Sequence, residues 1–369
     1  KELQETYHRT LKTLDEKHPP LIEQREKRFT AEAEALIGQR QQLLEANQGD
    51  QERSWESVVQ QWTAGVGEFQ TEIDDMNRVC DAWTPAWDQV DWNAWKPESG
   101  DLPALRFGQL QFQLDSLPEG LSRHAHLQVP QTEFTLPAAL SYPECPSLLY
   151  FAEAEGRDAA IRSLQDVMLR LLTSLPAGKV RFTIVDPTGL GQNFSAFMHL
   201  ADFDERLVSS RIWTETVHIN KRLTDLTEHM ENVIQKYLRN EFESIQQYNQ
   251  YAGEVAEPFQ ILVIANFPAN FSEEAARRLV SIAASGARCG VYTIIAHDTR
   301  LPLPLGLQIE DIKSRSIHLA YEAGRFVWQD EVFRQFPLSV DTPPAEATLT
   351  RLMQAVGNLA RDSNRVEVP

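Results

Sequence analysis

Three cysteines in 369 residues, isolated at Cys80, Cys145 and Cys289, are too few and too scattered for a disulfide framework or a zinc site. A reducing, cytoplasmic setting is the corresponding expectation. No apolar run approaches the ~20 residues that a membrane span needs, so no membrane partner is expected. Basic clusters are missing as well. Residues 1–98 hold 11 Lys and Arg against 20 Asp and Glu, the remainder 24 against 33, and neither part has a Lys/Arg stripe of the kind that displaces counterions from a polyanion. The G-x-S-x-G elbow, the H-E-x-x-H pair and the C-x-x-C motif are all absent, which removes the commonest nucleophile, zinc-protease and dithiol chemistries.

What is present is the composition of a globular protein, 42% hydrophobic and 24% charged, with a net charge of −18. The length predicts two or three domains. The chain begins at Lys1 rather than Met and ends on Val366-Glu367-Val368-Pro369, so it reads as a piece of a longer protein.

The cleanest periodicity lies in residues 50–84. Trp55, Val59, Trp62, Val66, Phe69, Ile73, Met76, Cys80 and Trp83 alternate spacings of four and three, a coiled-coil seam. Upstream, Ile22, Phe29, Leu36 and Leu43 recur every seven residues. Gln48-Gly49-Asp50 between them supplies a helix stop, a turn and a new N-cap. The expectation is an antiparallel helical hairpin over 1–98 that serves oligomerisation or partner contact, with Pro19-Pro20 opening or breaking its first arm.

Trp83, Trp87, Trp92 and Trp95 follow in an acidic stretch. They fit either a docking site, because tryptophan anchors interfaces, or a helix end packed on the neighbouring domain. Residues 99–145 read as a small β-rich segment. Leu105–Leu114 alternates with period two at its centre, and Pro118-Glu119-Gly120 turns the chain. His124 and His126 would share one face of a strand, but no Cys or carboxylate completes a metal site, so they read as surface residues.

From 146 to 341 the pattern becomes strand–helix–strand, the mark of an α/β domain with a largely parallel sheet, and 342–369 reads as a helix leading out. Strands are expected at 147–151, 180–186, 259–265 and 290–296, with helices near 157–174, 213–250 and 272–286 and an edge hairpin at 315–328. The strand Ser147-Leu148-Leu149-Tyr150-Phe151 runs into Ala152-Glu153-Ala154-Glu155-Gly156-Arg157-Asp158 where a phosphate loop would read G-x-x-x-x-G-K-[ST]. Phe151 takes the place of the first glycine, Gly156 keeps the second, Arg157 replaces lysine and Asp158 replaces Ser/Thr. Asp186-Pro187-Thr188-Gly189-Leu190-Gly191 is a second glycine-bearing turn, read as ordinary turn chemistry over anion binding. Asp202, Asp204 and Glu205 beside His199 read as a solvated acidic loop over a metal or hydrolase site.

The order of these segments, with Val185-Asp186-Pro187, Glu228-His229-Met230-Glu231 through Tyr248-Asn249, Ile261–Asn266 and Gly286–Ala296, resembles the motor domain of FtsK/SpoIIIE-type DNA translocases, a branch of the RecA-like P-loop ATPases. The resemblance covers about 104–330. It implies a Walker B strand ending in Asp-Glu for magnesium and water, yet Ala265 and Asn266 stand there. His297-Asp298 stands where the family has Thr-Gln. Glu153 and Glu155 set negative charge where a triphosphate would lie.

The expected fold is therefore a degenerate RecA-like α/β domain preceded by a helical hairpin and a small β segment. The expected function is that of a non-hydrolysing module, structural or regulatory, in a larger and DNA-translocating assembly. Gly156, Arg157, Asp158, Ala265 and Asn266 would be vestigial nucleotide positions, with no cofactor, catalytic residue or metal. The expected partners are neighbouring motor-like domains of the same full-length chain, with DNA implied by resemblance alone. One alternative is an active ATPase using ATP and Mg²⁺, with Asp186 or Asp298 recruited as the acid. Another is a coiled-coil scaffold unrelated to DNA.

Overall fold

The computed structural model describes residues 1–97, 102, 104–116, 120–141, 147–209, 211–253 and 256–366. Cys145 and the Pro118-Glu119 half of the expected turn lie outside the described residues. The chain divides into two units, one made of Lys1–Gln70 with Leu121–Val129, the other of Thr71–Gly120 with Pro130–Pro369. Among the described residues, no helix is long and apolar enough to cross a membrane.

The first unit corrects the expected hairpin. Residues Glu2–Trp83 form one α-helix, α1, which passes through Pro19, Pro20 and Gly49 without a stop and ends in the second unit. A glycine inside a helix costs about 1 kcal/mol relative to alanine. The flanking Leu43-Leu44-Glu45-Ala46 and Gln51-Glu52-Arg53 are good helix formers that carry the helix across Gly49. The 121–129 segment holds a single 3₁₀ turn at Ala125–Leu127 rather than a strand. His124 caps that turn by accepting the His126 N–H at Nδ1, 3.3 Å away, and sets its ring edge-on to Trp55 at 4.4 Å. Both histidines are exposed, as the surface reading expects.

In the second unit a three-stranded antiparallel sheet has the order β2-β1-β9, with β1 at Ala104–Gln113, β2 at Glu133–Ser141 and β9 at Leu338–Val340. The third strand comes from the far end of the chain, so the β-rich segment is completed by residues more than 200 positions away. Gly108 makes the approach possible, since a Cβ there would sit 2.6 Å from the Ser339 carbonyl oxygen.

The larger sheet has the order β4-β5-β6-β3-β7-β8. Its strands are β3 (Leu148–Ala152), β4 (Val180–Val185), β5 (Phe259–Phe267), β6 (Val291–Asp298), β7 (Ile317–Glu322) and β8 (Arg325–Trp328). All pairings are parallel except the β7–β8 hairpin at the edge. This is the expected α/β fold. Central strands buried on both faces read as continuous apolar runs, and β5 and β6 do. The main crossover helix, α2 (Ala154–Ser174), buries Ala160, Leu164, Val167, Met168 and Leu171. The helices α6 (Glu273–Ser285) and α8 (Glu346–Val366) match the expected positions.

The expected long helix at 213–250 is broken. Helix α4 (Thr216–Val233) widens into a five-residue π turn, Ile234–Leu238, and stops at Arg239 and Asn240, both at positive φ. Helix α5 (Ile245–Ala252) then restarts on the Ser244 cap, whose side chain accepts the Gln247 N–H. Two shorter helices, α3 (Ser195–Met198) and α7 (Glu310–Lys313), complete the set.

The four tryptophans at and after the end of α1 serve this packing. Trp92 is 4% exposed, and Trp83, Trp87 and Trp95 pack on the same core. Trp87 donates from Nε1 to Asp166 Oδ1 at 2.7 Å, and the Arg170 guanidinium stacks on its ring at 3.8 Å. Arg170 also donates to the Pro85 carbonyl, and Ser174 donates to the Trp83 carbonyl at 3.0 Å. Burial pushes the Asp166 carboxyl up to about 6, opposed by the Arg170 charge. Its folded pKa is thus above its unfolded one, and its contribution to stability is complete at low pH and lost as pH rises through about 6. Relative to Asp166→Asn, the wild type should lose about 3 kcal/mol of stability between pH 3 and pH 7 in urea titrations. A pH-independent difference between the two proteins would refute that assignment.

Candidate functional site

The carboxyl ends of β3, β4, β5 and β6 share one edge of the parallel sheet, where ligands of such sheets bind. At the phosphate-loop position there is no loop. Strand β3 ends at Ala152 and helix α2 begins at Ala154, leaving Glu153 as the single junction residue. Of the eight motif positions, Phe151 and Ala152 lie in the strand and Ala154 to Asp158 lie in the helix. The amides of Gly156 and Arg157 turn inward, each donating to the Glu153 carbonyl at 3.0 Å. A phosphate cradle needs such N–H groups free and convergent. Glu153, Glu155 and Asp158 are exposed around this helix start.

Gly156 survives for a packing reason. A Cβ there would fall 2.4 Å from Cγ of Tyr321 on β7, so the ring lies against the bare backbone. Arg157 is half-buried and turned along the sheet edge. It donates from Nε to Asn266 Oδ1 and from Nη2 to Thr188 Oγ1 at 3.2 Å. The position expected to carry the phosphate-binding cation is thus tied to the position expected to carry the Walker B acid.

Asn266 is placed by a bulge. The β5–β6 register shifts between Ile264 and Phe267, and Asn266 takes φ 59°, a left-handed conformation that asparagine tolerates. Ala265 is fully buried, while the Asn266 amide turns into the site, 3% exposed. From Nδ2 it donates to Asp186 Oδ1 at 3.2 Å.

Asp186, at the end of β4, is fully buried and is the hub. Its Oδ1 also accepts the Gly189 N–H at 3.0 Å, and its Oδ2 accepts from Asn193 Nδ2 at 3.0 Å. Gln165 on α2 donates to the Asn193 carbonyl at 2.5 Å. The glycine-bearing turn therefore does cradle an anion, and the anion is the chain's own carboxylate. Gly189 has to be glycine because a Cβ would lie 2.3 Å from Asp186 Oδ2. Sequence reasoning weighed the turn and the aspartate separately and missed their union. The signal was the spacing of Asp186, Gly189 and Asn193, an acid followed by its own donors.

His297 and Asp298 close the same edge. The His297 imidazole is buried between Phe151 and Phe267, its Nδ1 3.1 Å from the Phe267 carbonyl, and burial pulls its pKa down. Asp298 is held below the usual carboxylate range by hydrogen bonds from Arg300, at 2.9 and 2.7 Å. Both carboxylates that an active-ATPase reading would recruit are occupied by internal donors. His199 and Asp202 are exposed with a ring-to-carboxylate distance of 3.5 Å, and Asp204 pairs with Arg206 at 3.1 Å. No group of three His, Cys, Asp or Glu able to hold a metal occurs among the described residues.

No family model matches the chain, and no curated protein does. Solved structures do match in chain path, and they are FtsK/SpoIIIE-type ATPase domains. ATPases 2 and 3 of EssC from Geobacillus thermodenitrificans match at 14% identity and a TM-score of 0.48, over 74% of this chain and 52% of that one. The cytoplasmic domain of the type VII secretion ATPase EccC from Thermomonospora curvata matches at 14% identity and 0.46, over 77% and 34%. The pCW3 conjugation coupling protein TcpA, with ATPγS, matches at 13% identity and 0.39, over 61% and 57%. This chain spans about half or less of the first two structures' length.

Proposed function

We propose that this chain is a motor-like module of the P-loop ATPase type that does not hydrolyse nucleotide, and that it acts structurally or as a regulator beside other motor-like domains of a larger assembly. The observation that carries the reading is the one-residue junction between β3 and α2, with the Arg157–Asn266–Asp186 network filling the space beside it. Hydrolysis needs backbone donors for the phosphates, a cation for the outer phosphate and a carboxylate for metal and water. Here the donors are turned inward and the cation is spent on an amide. The buried carboxylate of Asp186 accepts three internal hydrogen bonds. Arg157, Asn266 and Asp186 are thus engaged with one another. The module's role is then to present surfaces to its neighbours, in a cytoplasmic setting, and DNA enters only through the resemblance.

Calorimetric titration with ATP and Mg²⁺ should give no binding heat at millimolar nucleotide, and micromolar binding would end the proposal. The network should also behave as structure rather than as a reserved site. Arg157→Ala and Asn266→Ala should each destabilise the nucleotide-free protein by about 1–3 kcal/mol, the first by leaving the buried Asn266 Oδ1 without its donor and the second by removing one of the two donors to Asp186 Oδ1 and the acceptor of Arg157 Nε. A rise in melting temperature on either substitution, the behaviour of side chains held ready for a ligand, would contradict this. Gly156→Ala should lower the melting temperature through the Tyr321 clash, without any change in nucleotide response.

A further inference from the structure

The first fifty residues of α1 hold large apolar side chains with nothing over them. Leu3 is 89% exposed, Phe29 73% and Leu43 71%. The few ion pairs there are solvent-exposed i,i+4 contacts such as Lys27–Glu23 and Arg28–Glu32, worth a few tenths of a kcal/mol each. Helices take most of their stability from packing an apolar face, so this one calls for a partner.

The periodicity names the partner. Over residues 3–66 of α1 the short runs of sevens fit within a longer eleven-residue repeat, the spacing of nearly straight, slightly right-handed helix pairs. Leu11, Ile22, Ala33, Leu44, Trp55 and Val66 occupy one position of that repeat, all apolar. Leu3, Leu14, Leu36 and Val58 share the position three residues on, interrupted by Arg25 and Asn47.

This pattern is self-complementary when reversed except where Asn47 falls opposite Ile22 and Arg25 opposite Leu44. If two copies run antiparallel about a two-fold axis between Glu34 and Ala35, every position of the first set meets one of the second. Leu3 then meets Val66 of the other copy, Leu11 meets Val58, Leu14 meets Trp55, and Ala33 meets Leu36. Tyr7 meets Trp62 by the same reflection. Charge selects the same arrangement. A parallel, in-register pair would stack Arg25 on Arg25 and Arg40 on Arg40 within the seam, a like-charge cost. The antiparallel register sets Arg25 against Leu44, and Arg40 against the face of Phe29, with Glu26 and Glu32 of the other copy one turn to either side.

We propose that the first unit of α1 is a homodimerisation element that pairs with a second copy of this chain as an antiparallel two-helix seam, Glu26 and Glu32 of each copy flanking Arg40 of the other. The Trp55 ring, which also takes His124 edge-on, stays 37% exposed and open to Leu14 of the second copy. This inference is independent of whether the second unit binds nucleotide.

The test is light scattering on the full chain together with a distance between spin labels placed, through a non-natural residue, at position 17. A mass of two 42.0 kDa chains and a label separation of roughly 50 Å, 35 residues at a helical rise of about 1.5 Å, are expected. Leu36→Asp should raise the dissociation constant at least about a hundredfold, because each copy loses a central apolar contact. The melting of the second unit, followed in the same variant, should not move. A monomer at 100 µM (roughly a hundred times the ~1 µM dissociation constant a modest seam would give), a short label distance typical of a parallel pair, or a dimer indifferent to Leu36→Asp would each overturn the proposal.

Discussion

The arrangement of the sheet's carboxyl edge depends on one buried carboxylate. Asp186 is completely enclosed, and a buried charge without donors is expensive enough to unfold a domain of marginal stability. Three hydrogen bonds from Gly189, Asn193 and Asn266 satisfy it. Each donor then imposes its own requirement. Gly189 must lack a side chain, Asn266 must adopt a left-handed backbone at a bulge, and Arg157 must reach across from α2 to fill the asparagine's remaining acceptor. The tip of β4, the bulge in β5 and the first turn of α2 are locked together as a result.

A second buried charge, Arg170, performs the same service on the other end of α2. Its guanidinium lies on the Trp87 ring and beside Asp166, while Asp341 lies between it and Arg106. Ionised pairs in a low-dielectric interior gain little net stability over apolar replacements, but breaking one strands its partner. What they supply here is attachment. The segment after α1, the strand β1 and the chain following β9 meet at these two arginines, so elements distant in sequence are fixed to α2 by geometry that apolar packing would leave loose.

Much of this was legible in the sequence, and the limits have physical causes. Apolar runs such as Ile261–Ala265 and Val291–Ala296 announce buried parallel strands, because a strand covered on both faces has no polar side to alternate with. The departures from the phosphate-loop pattern at Phe151 and Arg157, and from the Walker B pattern at Ala265, were equally visible. The mutual satisfaction of Arg157, Asn266 and Asp186 was not, since those residues are far apart along the chain and meet only through the strand order. The hairpin expected at Gln48-Gly49-Asp50 failed for a local reason. A lone glycine weakens a helix without ending it when strong helix formers flank it. The break at Arg239-Asn240 was invisible for the converse reason, as apolar spacing continues through the π turn at 234–238.

The junction at Glu153 also limits how this surface can change. Point substitutions alter side chains, whereas the distance from Ala152 to Ala154 is a property of chain length. Restoring glycine, lysine and threonine at 151, 157 and 158 would leave the backbone following the same short path from strand to helix. A turn wide enough to encircle a phosphate has to be gained by inserting residues beside the Tyr321–Gly156 contact and the Arg157–Asn266 hydrogen bond. Building a phosphate-encircling turn at this edge is therefore a problem of loop length before one of chemistry.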